Sequence, residues 1–383
     1  MNCPNCQQDA RCKGIRCRTL LSLLGTLRFQ RHYYHCPHCH QGSCPRDHHL
    51  GLQAHDLTPA ADEVVCLAGL QGSFADAATK LLPRLTALRV AESTVERATE
   101  TAGGRVGAAH AAGQTFGPPT PWAWHKDNDG QTVAYVSVDA TGVGQQGLGG
   151  RRVDGRMAYV GMIYNPVPAQ RERWANPDGR RPDWQARYVT QVQPLAALAE
   201  PLRHQAGQVG IDRADRWIAL SDGGAGLEDF LAKNFARVSV VILDFYHVTE
   251  YLGKLAKALH PGQEEEAENW RQRWCTQLKA EGGGPVLAAL RDLTVRGRAA
   301  QAVHAEVVKY FTNQVHRMDY PTYVAKGWQI GSGPVESACK TVVGQRLKGG
   351  GMRWGVDGAD AVCHLRALFR SERGQWEAFW KQN

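Results

Sequence analysis

The sequence predicts an α/β protein: a mixed five-stranded sheet flanked by helices, with helical additions and a cysteine-rich module at its N-terminus. Three observations carry this. Between residues 132 and 250, three apolar runs rich in Val, Ile and Tyr come in succession, and two more then alternate with helical patterns. On either side of that region, long stretches repeat apolar residues at three- and four-residue spacing, the period of an amphipathic helix. Seven of the 11 cysteines (3, 6, 12, 17, 36, 39 and 44) fall in the first 44 residues. At 383 residues the chain is long enough for two or three domains and a substantial core.

Residues 1–57 form the cysteine-rich module. It contains two C-x-x-C pairs, "CPNC" (Cys3, Cys6) and "CPHC" (Cys36, Cys39), separated by 29 residues. Each pair sets two thiolates on a tight turn, and two such turns complete a four-sulfur Zn²⁺ site. The intervening "RTLLSLLGTLRFQRHYYH" reads as a hairpin, and Cys12, Cys17, Cys44, His38 and His40 are alternative ligands. The N-terminus lacks the basic-then-apolar layout of a signal peptide. No apolar run approaches the roughly 18 residues of a membrane span. A cytoplasmic chain without a membrane partner is expected, with its thiols reduced, buried or metal-bound. Cys66, Cys275, Cys339 and Cys363 stand alone and read as buried apolar thiols.

Residues 58–115 read as three short helices, "LTPAADEVVCLAGL", "SFADAATKLLPRL" and "VAESTVERATETAG". That arrangement suits a helix-turn-helix-like DNA-binding domain or any small helical bundle. The third is the choice of recognition helix, although it carries more acids than bases. The Pro- and Gly-rich segment 113–131 reads as a linker.

The sheet region, 125–250, follows. Strands are expected at 132–138, 157–164 and 186–192. Then come a helix interrupted by Pro201, the strand "RWIALSDG", the helix "AGLEDFLAKNF" and the strand "VSVVILDF". The order is β-β-β-α-β-α-β. Residues 251–325 read as a helical insertion, and 326–383 return to the sheet with C-terminal helices. "GVGQQG" (142–147) matches a dinucleotide fingerprint in form, but no helix opens after it and Asp139 would repel phosphates. It reads as a hairpin connection.

Asp139 breaks an apolar strand near its end, and Asp222 stands immediately after another. If those strands are neighbours, both carboxylates project from one edge, where a divalent cation would relieve their repulsion. In "WQIGSGPVESACKTVVGQRLKGGGMRW" (328–354), Gly333 as N-cap puts Pro334 at N1 and Glu336 at N3, where an acid favours the helix dipole. Glu336 is also the natural third carboxylate of a site for two metal ions about 4 Å apart. Lys340, Arg346, Lys348 and Arg353 follow with no acid among them, which suits phosphates, and the net charge is +8. Asp244 and His247 form a D-x-x-H pair at the end of the last strand.

With Asp139, Asp222, D-x-x-H and "GSGPVE" in this order, the chain resembles bacterial insertion-sequence DDE transposases. More closely, it looks like the ISKra group, related to the Mutator-like superfamily. The resemblance covers nearly the whole chain, including "YYHCPHCHQG", "LGLQAHDLTP" and the 328–354 stretch. It implies an RNase H-like core, with Asp139, Asp222 and Glu336 as first, second and third acids holding two Mg²⁺ ions. The separations are 83 and 114 residues, the second accommodating the insertion at 251–325. His247 would orient a phosphate or the attacking water. Lys340, Arg346, Lys348 and Arg353 would lie on the DNA backbone, and Trp354 would stack on an unpaired base. The partners implied are double-stranded DNA, as terminal inverted repeats and target, and a second copy of the chain on paired ends. The place of action would be the cytoplasm, at the nucleoid, and the zinc would be structural. Two other readings remain: an RNase H-like nuclease without strand transfer, and a zinc-containing DNA-binding regulator without catalysis.

Overall fold

The protein is described from a computed structural model, covering residues 1–52, 55–166, 185–372 and 374–381. Among the described residues, eight strands make two sheets. β1 (Arg11–Ser22), β2 (Gly25–His35) and β3 (Gly42–Ser43) form a small antiparallel sheet. β4 (Val133–Gln146), β5 (Arg152–Asn165), β6 (Gln185–Val192), β7 (Arg216–Ser221) and β8 (Val238–Leu243) form the larger one, in the order β6-β5-β4-β7-β8. β5 runs antiparallel to β4 and β6, whereas β4, β7 and β8 are mutually parallel. Connections explain the change of sense. A tight turn joins β4 to β5, while the helices Ala199–Gln208 and Leu227–Asn234 lead into β7 and β8, as parallel crossovers require.

The sheet is covered on both faces, which is why its central strand reads as an unbroken apolar run. Val133 and Tyr135 of β4 point into one core, Ala134, Val136 and Val138 into the other. The first core takes in the helices Pro59–Gln71, Glu92–Ala111, Phe245–Leu259 and Val356–Arg370 together with the insertion. The second holds the two crossover helices, plus Trp122 and Trp124. Residues 113–131 are thus no solvated linker. They form an irregular strap: the Trp122 indole donates to Glu372 at 2.6 Å and that of Trp124 to the Gly210 carbonyl at 3.0 Å.

Segment 58–115 contributes side chains to the same core as the sheet. The helix Glu92–Ala111 buries Val95, Ala98, Ala102 and Val106. It lies so close to Val356–Arg370 that a Cβ on Gly103 would fall 1.9 Å from the Ala361 carbonyl oxygen. Arg366, 2% exposed, joins these layers by donating to the carbonyls of Leu70, Thr341 and Val342. Between β8 and residue 325 the chain is helical, in five helices from Phe245–Leu259 to Tyr320–Ala325. No helix among the described residues is long and apolar enough to cross a membrane.

Two local readings change. "GVGQQG" lies mostly within β4, whose pairing with β5 continues to Gln146 opposite Arg152. Pro201 is the third residue of Ala199–Gln208 and does not interrupt it. A first-turn proline lacks an N–H that would have no intrahelical partner.

Candidate functional site

The two cysteine pairs fold alike, as their repeated hexapeptides CPNCQQ and CPHCHQ would suggest. Cys3 N donates to Gln8 O at 2.7 Å, and Cys36 N to Gln41 O at 2.9 Å. The fifth residue of each, Gln7 and His40, takes a left-handed φ of 60° and 57°, uncommon for side chains other than Gly. The sulfurs of Cys3 and Cys39, and of Cys6 and Cys36, lie 3.5 Å apart. All four fall within 4.8 Å of one another, a group that can hold a structural metal such as zinc. The Gln41 amide helps draw the Cys39 thiol down, while burial and the neighbouring sulfurs push its partner Cys6 up, so the crowded sulfurs share their protons unequally. Cys12, Cys17, Cys44, His38 and His40 stay outside the set.

The second cluster is assembled from distant parts of the chain. β4 and β7 pair in parallel with Ser137 opposite Leu220. Two residues further on, Asp139 and Asp222 therefore come to the same edge. Asp222 closes its own turn, its Oδ1 accepting from Gly224 N at 2.8 Å. Gly223 between them has φ +84°, and a Cβ there would meet Leu243 at 2.9 Å, so glycine is required. Glu336 arrives on the helix Gly333–Ala338, which packs on β4 and β5. Its N-cap is Ser332, one residue earlier than the sequence indicates, so Glu336 falls at N4.

Asp139 senses both other acids. Burial pushes its carboxyl upward, and the charges of Asp222 and Glu336 add to the shift, against the Ala140 amide donating to Oδ1 at 2.6 Å. The donor set, three hard carboxylates of which Asp139 is disfavoured in its charged form by the other two, fits a hard divalent cation. The fit is not a finished cage. Among the described residues only the four cysteines form a group of three or more such ligands mutually within 4.8 Å.

Asp244 has a role that the sequence leaves open. It is 1% exposed and caps the helix Phe245–Leu259, Oδ1 accepting from Tyr246 N at 2.9 Å. Its Oδ2 lies 2.8 Å from the Ser332 hydroxyl, which also stands 2.8 Å from Glu336 Oε1. Burial raises the Asp244 carboxyl, and Glu336 contributes in the same direction. His247 is half-buried. Its Nδ1 lies 3.4 Å from Glu250, and its ring meets Tyr251 and Tyr310 edge-on, so its partners are not the three acids.

The basic stretch divides. Lys340, Lys348 and Arg353 are exposed, and Lys348 donates to Thr141, two residues beyond Asp139. Arg346 and Trp354 do not face a ligand. Arg346 is 2% exposed, donates to the Gly69 carbonyl at 2.7 Å and lies over the rings of Phe74 and Trp354. Trp354 is buried edge-on against Phe74, its indole donating to the Leu347 carbonyl at 3.2 Å. The expectation of a phosphate contact and a base stack at these two positions is therefore corrected. An arginine stem buries readily when carbonyls take its donors, and charge pattern alone does not reveal that.

Sequence reasoning missed Ser332, Arg317 and Tyr310. Arg317, from the end of the insertion, is 2% exposed and donates to Ser221 Oγ at 2.6 Å, directly behind Asp222. Tyr310 stacks on Tyr251 at 3.8 Å. Only Ser332 had a signal, its place in "GSGPVE". Set against known protein families and against curated proteins, the chain matches none.

Proposed function

We propose that the chain is a DDE transposase on an RNase H-like core, cutting the ends of its own DNA element and joining them to target DNA. The observation that carries this reading is the parallel pairing of β4 with β7, which brings Asp139 and Asp222 to one edge beside Glu336. The sheet order β6-β5-β4-β7-β8, with only β5 reversed, is that expected of an RNase H-like fold. Asp139, Asp222 and Glu336 would hold two Mg²⁺ ions, which when bound supply the charge that activates the attacking oxygen and stabilises the leaving one. The residues themselves hold three carboxylates on rigid elements, so the attacking and leaving oxygens need no covalent enzyme intermediate.

Lys340, four residues after Glu336, and Lys348, bonded to Thr141, lie exposed beside this edge; with the exposed Arg353 they would meet phosphates. A second cationic surface supports DNA as partner. Between Asp9 and Asp47 the chain carries seven Lys and Arg and no acid. Of these, Arg18 and Arg31 are held by Asp47, while Arg11, Lys13 and Arg28 are exposed on the β1–β2 ribbon. The four-cysteine group at its base would hold structural Zn²⁺.

The test is cleavage and joining of labelled DNA bearing the element's own ends, with Mg²⁺ or chelator. Metal-dependent cut and joined products that vanish in Glu336→Gln, with DNA binding kept, are expected. Unchanged cleavage in Glu336→Gln would return Glu336 to a helix-capping role. Cleavage without joined products would point instead to a nuclease.

A further inference from the structure

Ser332 breaks a local rule. As an N-cap its hydroxyl should accept from an amide of the first helical turn, yet no such bond forms. Its carbonyl alone serves the helix, accepting from Val335 N at 2.9 Å and Glu336 N at 3.0 Å. The hydroxyl, in a residue 1% exposed, is turned instead between Asp244 Oδ2 and Glu336 Oε1, at 2.8 Å from each. A buried carboxylate left beside another without a donor between them would be costly.

The surroundings hold this arrangement rigidly. Asp244 is fixed on its far side by the Tyr246 amide, and its own N–H donates to the Ser221 carbonyl at 2.9 Å. Phe245 N donates to the Ile330 carbonyl at 2.8 Å, pressing the loop before Ser332 onto the start of that helix. Gly331 permits the approach, since a Cβ there would lie 2.7 Å from the Tyr246 ring. Asp244 thus has both oxygens committed, whereas Glu336 Oε2 has no hydrogen-bond partner among the described residues.

We infer that Asp244 and Ser332 are positioning residues: the single Ser332 hydroxyl proton is shared between Asp244 Oδ2 and Glu336 Oε1, which holds Glu336 in place and leaves Oε2 directed at a divalent cation. The inference rests on the proposed reading of Glu336 as a metal ligand. It assigns the Asp of the D-x-x-H pair to the layer behind the ligands, not to the ligands themselves. Such supporting partners change metal affinity by about 10- to 100-fold when removed.

The test is Mn²⁺ binding to the full, zinc-loaded chain, followed through the EPR signal of free Mn²⁺. Ser332→Ala should weaken binding by about 10- to 100-fold. Ser332→Thr, which keeps the hydroxyl, should stay within about threefold of wild type, the scatter of one hydrogen bond. Asp244→Asn should also stay close to wild type. Its amide oxygen can accept from Tyr246 N while its NH₂ donates to Ser332, freeing that hydroxyl for Glu336. A large loss in Asp244→Asn would make Asp244 a ligand and overturn the inference. So would wild-type binding in Ser332→Ala, or equal loss in Ser332→Thr. If Glu336→Gln binds Mn²⁺ as the wild type does, the reading of Glu336 itself fails, and the inference falls with it.

Discussion

The four-cysteine group and the acid edge solve the same electrostatic problem in opposite ways. At the cysteines, one hexapeptide turn is used twice, backbone bonds within each turn set its two sulfurs, and the β1–β2 hairpin brings the two turns together. At the acid edge, each carboxylate comes from a different element, and their approach depends on sheet register, a helix start and a loop. A locally closed site gathers its ligands tightly. A site assembled over long range keeps them further apart, under mutual repulsion, with a supporting layer such as Ser332. The lesson concerns what each site can lose: one turn in the first case, the packing of the whole core in the second.

The sharpest way to break the contrast is Cys36→Ser. Metal content should fall from about one ion per chain to none, with loss of binding energy on the order of 10 kcal/mol. Hydrogen exchange should then rise in β1 and β2 while β4 stays protected. Loss of protection in both would mean that the module supports the core.

Next comes the packing on which the acid edge depends. His110, on the helix Glu92–Ala111, is buried beside His364 and His204, with His364 held 3.3 Å from Asp360. Burial first, then those two neighbours, push the His110 imidazole down to about 3. The folded state thus binds fewer protons than the unfolded one below about 6.5, so stability falls as pH falls through that value. Denaturant unfolding should show a loss of about 2 kcal/mol from this group by pH 5. His110→Leu should remove that part of the slope, and an unchanged slope would place the effect elsewhere.

The smallest effect sharpens the contrast at the acids. The Asp139 carboxyl is raised, so its contribution to stability is full below the ordinary carboxylate value and lost as pH rises through its folded value. Without divalent metal, Asp139→Asn should stabilise the protein near neutral pH by on the order of 1 kcal/mol. The gain should shrink near pH 4. Destabilisation at neutral pH would mean that Asp139 serves the fold more than a ligand.

Legibility in the sequence followed the same divide. The cysteine ligands were readable because their spacing is local, and the hairpin between them because β1 and β2 are adjacent. Five strands were readable from apolar runs, and Asp139 and Asp222 from their places at strand ends. Which strands neighbour each other is not written in any one segment; it is fixed by how the helices cover both faces. Trp122 and Trp124 looked like linker residues because Pro and Gly surround them, yet the core needed their area. Arg346 and Trp354 looked like a nucleic-acid surface because charge and an aromatic ring share one pattern whether buried or exposed. Ser332 was hidden because the sequence puts the N-cap one residue later, at Gly333, and its bond to Asp244 joins residues 88 apart in the chain.

The most direct measurement is a crystal soaked in Mn²⁺ and examined by anomalous scattering at the manganese edge. Two peaks between Asp139, Asp222 and Glu336, with Asp244 still bonded to Ser332, are expected. An empty acid edge under saturating Mn²⁺, in crystals whose cysteine site is filled, would contradict the metal-dependent chemistry proposed for this protein.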